Sequence, residues 1–251
     1  MARKIIRLKS VDSTNTYIKN LPISERVDGL VVVADKQTKG RGRLGRSFMS
    51  DGKGLYVSYV VKPDCSIKDS LIITSTVAVA VARAIEKVSH ISVGIKWVND
   101  IVYGGRKLAG VLTEAVNVSG DKAECYVIGI GINVNETEDD FGAELKDKAI
   151  SLKTILKRDF DKEELLSALI EELDEMEATF LSKRDMYYGE YVQRSVMFDR
   201  NVVLSDTAKR RSGKVVGIDR DYALKVESDN GEITKVISGD ISVDGIYGID
   251  L

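Results

Sequence analysis

The sequence predicts an α+β fold, in which helices accompany a mixed, mainly antiparallel sheet and a small β-barrel follows at the C-terminal end. Three observations lead to this prediction. Strand-like and helix-like segments alternate over most of the chain, without repeats or low-complexity stretches. Two apolar strands, at residues 107–115 and 125–133, form a predicted hairpin around a polar turn. After Val196, short strands separated by turns replace this pattern, which is typical of small all-β modules.

The elements of the first part follow from hydrophobic periodicity. A short helix at residues 13–20 has Ser13 as its N-terminal cap. Residues 67–88 form a predicted core helix, whose most apolar stretch is interrupted by Arg83 and is too short to span a bilayer, which takes about 20 apolar residues. We therefore expect no membrane insertion. Besides the hairpin, the predicted strands are 4–8, 30–34, 55–61 with an alternating pattern, and two short strands within 93–102.

A second long helix is predicted over residues 161–191 and is expected to pack on the core. Its apolar side chains at helical spacing are Leu165, Leu166, Leu169, Leu173, Met176 and Phe180. We predict a domain boundary near Gln193, which divides the chain into a catalytic domain at 1–193 and a small module at 194–251. A length of 251 residues fits one sizeable core with a small second module.

The composition excludes several classes of function. With 37 basic against 39 acidic residues the net charge is -2, so no bulk attraction to nucleic acid or anionic membrane is expected. Cys65 and Cys125 are the two cysteines, and they form neither a CxxC pair nor a group with histidines, so neither a disulfide framework nor a zinc site is indicated. No long apolar segment follows the basic N-terminus, which argues against a signal peptide. We expect a cytoplasmic protein.

A glycine-rich loop, GRGRLGR at residues 40–46, follows an apolar strand. Its pattern also fits the GxGxxG fingerprint of dinucleotide-binding proteins, but no helix is predicted after it, so that interpretation fails on context. The glycines give a mobile loop with exposed backbone N–H groups, and Arg41, Arg43 and Arg46 suit phosphate or carboxylate oxygens. We predict a lid for an anionic ligand; an ordinary solvated basic loop is the alternative.

Three further segments carry polar residues next to apolar strands. KWVND at 96–100 combines a cation, an amide and a carboxylate, suited to phosphate and magnesium, although its Trp97 is equally expected in a core. RKLAG at 106–110 places Lys107 beside small residues, where it either points into a pocket or lies on a surface hairpin. GIGINVN at 129–135 has alternating glycines, which indicate the close approach of a ligand or backbone, or a bulge.

Taken with DSTN at residues 12–15, these segments resemble the biotin-protein ligase family in identity, order and spacing. The C-terminal stretch is similar to the family's SH3-like domain and includes SGDIS at 238–242. The resemblance implies a class II synthetase-like catalytic domain followed by that small β-barrel. Two positions depart from the family pattern, which usually has proline at Val98 and often tryptophan at Phe48.

The resemblance also implies roles for individual residues. Lys107 and Arg43 are implied to be catalytic, and Asp100 to contact Mg²⁺ brought with ATP. Biotin is implied to contact Ser13, Thr14, Asn15, Gln37, Gly40, Arg41, Arg43, Lys107 and Gly110. ATP is implied to contact Arg43, Arg46, Phe48, Lys96, Trp97, Asn99, Asp100 and Asn133. The single histidine, His90, follows the core helix in a polar turn and has no implied role.

The implied reaction activates biotin with ATP to biotinyl-5'-AMP and transfers biotin to a lysine of a biotin carboxyl carrier protein domain, as found in biotin-dependent carboxylases and decarboxylases. Such a reaction needs preorganised cations and no protein nucleophile. The resemblance implies a homodimer. Only 12 residues precede Ser13, too few for a helix-turn-helix module, so DNA binding is not expected.

Three other classes of protein were weighed against this interpretation. Lipoate-protein ligases have a related fold, but their arginine-serine-glycine-rich signature is missing, whereas GRGRLG and RKLAG are both present. A nicotinamide oxidoreductase is supported by the GxGxxG pattern alone. A nucleic-acid-binding module is opposed by the net charge of -2 and by the lack of a basic stripe interleaved with aromatic residues.

Overall fold

The computed structural model describes residues 3–179, 182–205 and 210–249, and it has the predicted α+β fold. Its larger sheet comprises, within those residues, β1 Ile5–Val11, β2 Val31–Gln37, β3 Leu55–Val61, β4 Gly94–Lys96, β5 Asp100–Tyr103, β6 Arg106–Val116 and β7 Cys125–Ile132. In space the strands run β1-β2-β3-β7-β6-β5-β4. Only β1 and β2 pair in parallel, and the other neighbouring strands pair antiparallel. The predicted mixed, mainly antiparallel sheet is therefore confirmed.

The helices lie on both faces of this sheet. They are α1 Thr14–Asn20, α2 Ser70–Ser89, α3 Gly142–Leu145, α4 Leu152–Leu156, α5 Lys162–Thr179 and α6 Arg184–Arg194. Helix α2 is the predicted core helix, and its residues 77–82 are fully buried because β6, α5 and α6 pack around it. Of the helices in the described part, none is long and apolar enough to cross a membrane.

The single helix predicted over residues 161–191 is wrong, because α5 ends at Thr179 and α6 begins at Arg184. An unbroken helix of that length would extend about 45 Å. With the break, α5 packs on one part of α2, and α6 brings Tyr187 and Tyr191 into the core. Five of the predicted apolar positions on α5 are buried, and the sixth, Phe180, lies outside the described residues.

Strand β3 also differs from its predicted alternating pattern, because all seven of its residues are buried. Helices α1 and α5 both contact this strand. Its residues Val57 and Tyr59 belong to the core cluster that includes α5, whereas Val60 belongs to the cluster that includes Ile18 of α1. A strand covered on both faces needs no exposed face, so its polar residue, Ser58, is fully buried. The short helices α3 and α4 were not predicted.

The C-terminal strands form a second sheet, as predicted. They are β8 Asn201–Ser205, β9 Arg210–Ile218, β10 Leu224–Glu227, β11 Ile233–Val236 and β12 Asp240–Val243. Their spatial order is β11-β10-β9-β8-β12, with antiparallel neighbours throughout. Tyr222 of this part packs edge-on against Tyr188 and Tyr191 of α6. The boundary at 193/194 stays a prediction.

Candidate active site

A cleft of about 940 Å³, including space open to solvent, lies where β6 and β7, the loop 40–46 and the C-terminal strand β12 meet. Most of the residues singled out from the sequence line it, although they come from separate segments of the chain. Those residues are Ser13, Thr14, Asn15, Gln37, Arg41, Arg43, Arg46, Phe48, Lys96, Trp97, Asn99, Asp100, Lys107 and Gly110. Two predicted residues, Gly40 and Asn133, do not line it.

One end of the cleft is neutral and polar. Helix α1 begins there, and the Ser13 side chain accepts a hydrogen bond from the backbone N–H of Thr16, as expected of an N-terminal cap. The carboxamide oxygen of Gln37 accepts from the backbone N–H and the hydroxyl of Thr14, at 2.9 and 3.1 Å. The Gln37 amide nitrogen donates to Ser50 Oγ at 3.0 Å. These bonds fix the Gln37 side chain at the β2 end of the cleft.

Asn15 is held by residues that the sequence did not single out. Its amide nitrogen donates to Glu114 Oε2 at 2.8 Å, and the hydroxyl of the fully buried Ser58 donates to its carboxamide oxygen at 2.5 Å. Lys19 lies 2.7 Å from the other oxygen of Glu114. Burial by itself raises the pKa of Glu114, but the hydrogen bonds from Lys19 and Asn15 outweigh it and lower the pKa. Glu114 therefore stays ionised and orients Asn15.

The alternating glycines of β7 make room for side chains of this same chain. A Cβ at Gly129 would lie 2.6 Å from Asn15 Oδ1, and one at Gly131 would lie 2.6 Å from the Phe48 ring. The pairing of β7 with β3 and β6 is continuous, so the bulge considered above is absent from this strand. In the structure the close approach to Gly129 and Gly131 is made by the side chains of Asn15 and Phe48, and not by the ligand or backbone that the sequence led us to expect.

The other end of the cleft is charged. The ammonium of Lys107 lies 2.6 Å from Oδ1 of Asp100, and the hydroxyl of Tyr247 donates to Oδ2 at 2.7 Å. Burial would raise the pKa of Asp100, but the charges of Lys107 and Lys96 lower it. The Lys96 ammonium donates to the Ile241 carbonyl at 3.1 Å. Two cations and an ionised carboxylate thus share one partly enclosed space.

The glycine-rich loop closes this end. Backbone bonds from Gly42 N–H to the Arg46 carbonyl and from Phe48 N–H to the Gly40 carbonyl, at 2.7 and 3.0 Å, tie its two arms together. Arg43 reaches across to Asn99 Oδ1 at 3.0 Å, and Asn99 in turn donates to the Val111 carbonyl at 2.7 Å. The loop therefore presents Arg43 next to Asn99, on the connection between β4 and β5.

Comparisons with known proteins agree with this geometry. Residues 8–133 match the model of the Biotin/lipoate A/B protein ligase family, and residues 198–244 match that of the Biotin protein ligase C terminal domain. The chain belongs to the biotin protein ligase family. It is 32% identical to the bifunctional ligase/repressor BirA of Bacillus subtilis, over 97% of this chain and 75% of that protein. It is 28% identical to a biotin--[acetyl-CoA-carboxylase] ligase of Mycobacterium tuberculosis, over 85% of this chain and 75% of that protein.

A solved structure is similar over nearly the whole ligase. This is the biotin protein ligase from Aquifex aeolicus in complex with biotin and ATP, which is 30% identical and has a TM-score of 0.81. The match covers 97% of this chain and 99% of that one. Fold and family are therefore supported across both sheets.

The two predicted residues outside the lining of the ligase's cleft support it from behind. The Asn133 side chain donates to the carbonyls of Lys107 and Ile150, at 3.2 and 3.1 Å, so it holds the backbone of the Lys107 strand. A Cβ at Gly40 would lie 2.6 Å from Ser50 Oγ, so this glycine lets the loop pack closely. Trp97 lines the cleft and is also a core residue, since it is 3% exposed and donates to the Tyr222 carbonyl at 2.7 Å; its contact with ATP stays a prediction.

The sequence interpretation missed the contribution of the C-terminal part. Gly239 and Ile241 line the cleft, and the Gly239 carbonyl lies 3.5 Å from an Arg43 nitrogen. The SGDIS segment is similar to the family's, but nothing in its sequence indicates contact with the loop.

The described residues do not form a ready magnesium site. Asp100, the predicted ligand, has both oxygens engaged, one by Lys107 and one by Tyr247. Across residues 3–179, 182–205 and 210–249, no group of three or more His, Cys, Asp or Glu side chains could hold a metal ion.

Proposed function

We propose that this chain is a biotin protein ligase that joins biotin to AMP in the cleft and then passes biotin to a lysine of a carrier protein domain. The observation that carries the proposal is the division of one cleft into two ends. A neutral end around Thr14 and Gln37 suits the uncharged ring system of biotin. A cationic end around Lys107 suits a carboxylate and a triphosphate.

In the first half-reaction, a carboxylate oxygen of biotin attacks the α-phosphorus of ATP, and the bond to the leaving pyrophosphate breaks. Both reactants are anions, so their encounter is opposed by repulsion unless cations screen it. We propose that Lys107 and Arg43 meet the carboxylate and the α-phosphate, where charge develops on the phosphate oxygens. Lys96 and Arg46 meet the rest of the triphosphate, and Asn99 orients Arg43 by the bond described above.

In the second half-reaction, the ε-amine of the carrier lysine attacks the carbonyl carbon of biotinyl-5'-AMP, and AMP leaves. This needs no nucleophile from the ligase. We propose that a biotin carboxyl carrier protein domain of a carboxylase or decarboxylase supplies the lysine. The name of the Mycobacterium tuberculosis relative, a biotin--[acetyl-CoA-carboxylase] ligase, supports that class of carrier.

Further parts of the proposal concern binding. Biotin is proposed to contact Asn15 and Gly110 besides Thr14 and Gln37, and ATP to lie near Phe48. We propose that Mg²⁺ enters on the triphosphate with phosphate oxygens and water as its ligands, as Mg²⁺ commonly does at nucleotide sites. A cytoplasmic location, a homodimer and the lack of DNA binding stay predictions.

The proposal is tested by biotin-dependent exchange of labelled pyrophosphate into ATP, which reports the first half-reaction without a known carrier. We expect exchange with biotin and little with lipoate, because Gln37 and Thr14 present amide and hydroxyl groups suited to a ureido ring. Exchange that needs lipoate instead would overturn the assignment of substrate. No exchange with either acid would overturn the proposed reaction.

A further inference from the structure

A tyrosine beyond the last strand contacts two charged groups of the ATP end, Asp100 and Lys96. The hydroxyl of Tyr247 donates to Asp100 at 2.7 Å, and the ammonium of Lys96 lies 5.2 Å from the centre of its ring. The ring is thus within cation–π distance of Lys96. One side chain from the C-terminal end therefore contacts an anion and a cation that belong to separate strands of the large sheet.

The backbone of Tyr247 is tied to the same region. Its N–H donates to the Gly105 carbonyl at 2.8 Å, in the turn that joins β5 to β6. The first of these strands begins with Asp100 and the second carries Lys107. Tyr247 therefore contacts the hairpin that bears this ion pair through both its backbone and its side chain.

The backbone of Tyr247 has an uncommon conformation. Its φ is 61°, in the left-handed region that residues with a Cβ seldom adopt. Such a residue persists where the surrounding contacts determine its position, and such residues cluster at functional sites. The contacts of Tyr247 include those with Asp100, Lys96 and Gly105.

We propose that Tyr247 is a positioning residue for the triphosphate of ATP. Its hydroxyl fixes the carboxylate of Asp100, which in turn holds Lys107, and its ring lies against Lys96. The inference rests on the proposed function, because it assumes that these cations meet ATP. It extends that function by making the affinity for ATP, more than that for biotin, depend on a residue of the C-terminal part.

Two variants separate the contribution of the Tyr247 hydroxyl from that of its ring. Tyr247→Phe keeps the ring against Lys96 and removes the bond to Asp100, whereas Tyr247→Leu removes both. Tyr188→Phe is the matched control, because its hydroxyl donates to the Ile218 carbonyl at 2.8 Å and also joins the two parts of the chain, but it contacts no predicted site residue. Pyrophosphate exchange is measured with ATP varied at saturating biotin and with biotin varied at saturating ATP.

We expect Tyr247→Leu to raise the KM for ATP by about tenfold and Tyr247→Phe by about threefold, because each lost contact acts on ATP only through Asp100 or Lys96 and so passes on part of its own strength. The KM for biotin should stay within about twofold, and Tyr188→Phe should leave both constants unchanged. The difference between the two KM values is decisive. A merely structural role of Tyr247 would lower the melting temperature and would either leave both KM values unchanged or change them equally.

Unchanged KM values for ATP, or equal rises for ATP and biotin, would overturn the inference. If Tyr247→Leu does not fold, the nearly isosteric Tyr247→Phe decides by the same criterion. Wild-type exchange separates this inference from the function on which it rests. A wild-type chain without biotin-dependent exchange refutes the proposed function, whereas an active wild type with unaffected Tyr247 variants refutes the positioning role alone.

Discussion

The ammonium of Lys107 lies 2.6 Å from Oδ1 of Asp100, so the proposed catalytic cation is held by an anion of its own chain. The two residues stand on neighbouring strands, and their side chains are 29% and 14% exposed. The lowered pKa of Asp100 keeps the carboxylate charged. The pair thus keeps a lysine at the cleft in a fixed direction, where an unpaired lysine side chain would sample many rotamers.

Replacing Lys107 should remove the reaction and leave the chain folded. We expect Lys107→Ala to lower biotin-dependent pyrophosphate exchange by about 10²-fold to 10³-fold, since it removes a cation from the developing charge. Circular dichroism should report a folded chain, because Asp100 retains Tyr247 as a partner. Lys148→Ala changes an exposed lysine outside the cleft and serves as the control. Exchange by Lys107→Ala within about threefold of wild type contradicts the role of Lys107.

Gln37 provides a test of the neutral end. We expect Gln37→Ala to weaken biotin binding by about tenfold and ATP binding by much less, because it removes a buried polar contact and releases the Thr14 hydroxyl. Calorimetric titration with each ligand measures the two affinities separately. Gln193→Ala, at an exposed position of α6, is the matched control. Equal losses for biotin and ATP would show that Gln37 supports the whole cleft and does not recognise biotin in particular.

The sequence predicts well those elements that depend on residues close together in the chain. Strand β7 extends through nearly uninterrupted apolar sequence, and Ser13 caps its helix through a bond three residues away. Prediction failed where packing partners decide the outcome. The turn at residues 182–183, which separates α5 from α6, leaves the helical spacing of α5 intact, so periodicity gives no sign of it. The complete burial of β3 depends on helices that cover both of its faces.

The residues of the candidate cleft likewise divide into those that the local sequence indicates and those that depend on packing. Gln37, Arg43 and Lys107 lie in segments whose composition indicates chemistry. Tyr247 lies 147 residues after its partner Asp100 in the sequence. Ile241 lies 145 residues after its partner Lys96. Ile241 contributes a backbone carbonyl, which any residue type can supply. No composition or spacing rule finds such a contact, because it depends on how the two sheets pack together.

Glu136 should make stability fall as the pH rises. Its side chain is 2% exposed, and burial raises its pKa from the ordinary value of 4.5 to about 7. Between those two values the folded chain keeps a proton that the unfolded chain has released. Raising the pH through this window therefore favours unfolding, by about 3 kcal/mol over the full range.

Glu136→Gln removes the titration while keeping the size of the side chain. We expect the free energy of unfolding of this variant, relative to wild type, to increase by about 3 kcal/mol between pH 4 and pH 8. Urea titrations at several pH values measure it. Glu144→Gln, at an exposed carboxylate, should show no such trend. A constant difference between Glu136→Gln and wild type at all pH values would show that Glu136 does not titrate in this range.

The last prediction concerns the loop 40–46, which we propose acts as a lid over biotinyl-5'-AMP. This intermediate is a reactive anhydride, and it must be kept from water and stray amines until the carrier arrives. Leu44 at the loop's tip is 69% exposed, so it has little packing to hold it. Arg43 reaches from the loop to Asn99 and is placed to latch the lid onto an anion.

Two results should follow together from a latch at Arg43. Trypsin, which cuts after arginine and lysine, should cleave the wild-type loop more slowly when biotin is bound. Arg43→Gly should weaken the latch and release the adenylate, so that biotin is found by mass spectrometry on lysines of an unrelated lysine-rich protein in the mixture. Arg158→Gly, at an exposed arginine that does not line the cleft, should label no bystander. A lid must both open to protease and confine its intermediate. If Arg43→Gly makes adenylate without labelling bystander proteins, and if biotin leaves trypsin cleavage of the loop unchanged, then the loop is a static binding surface.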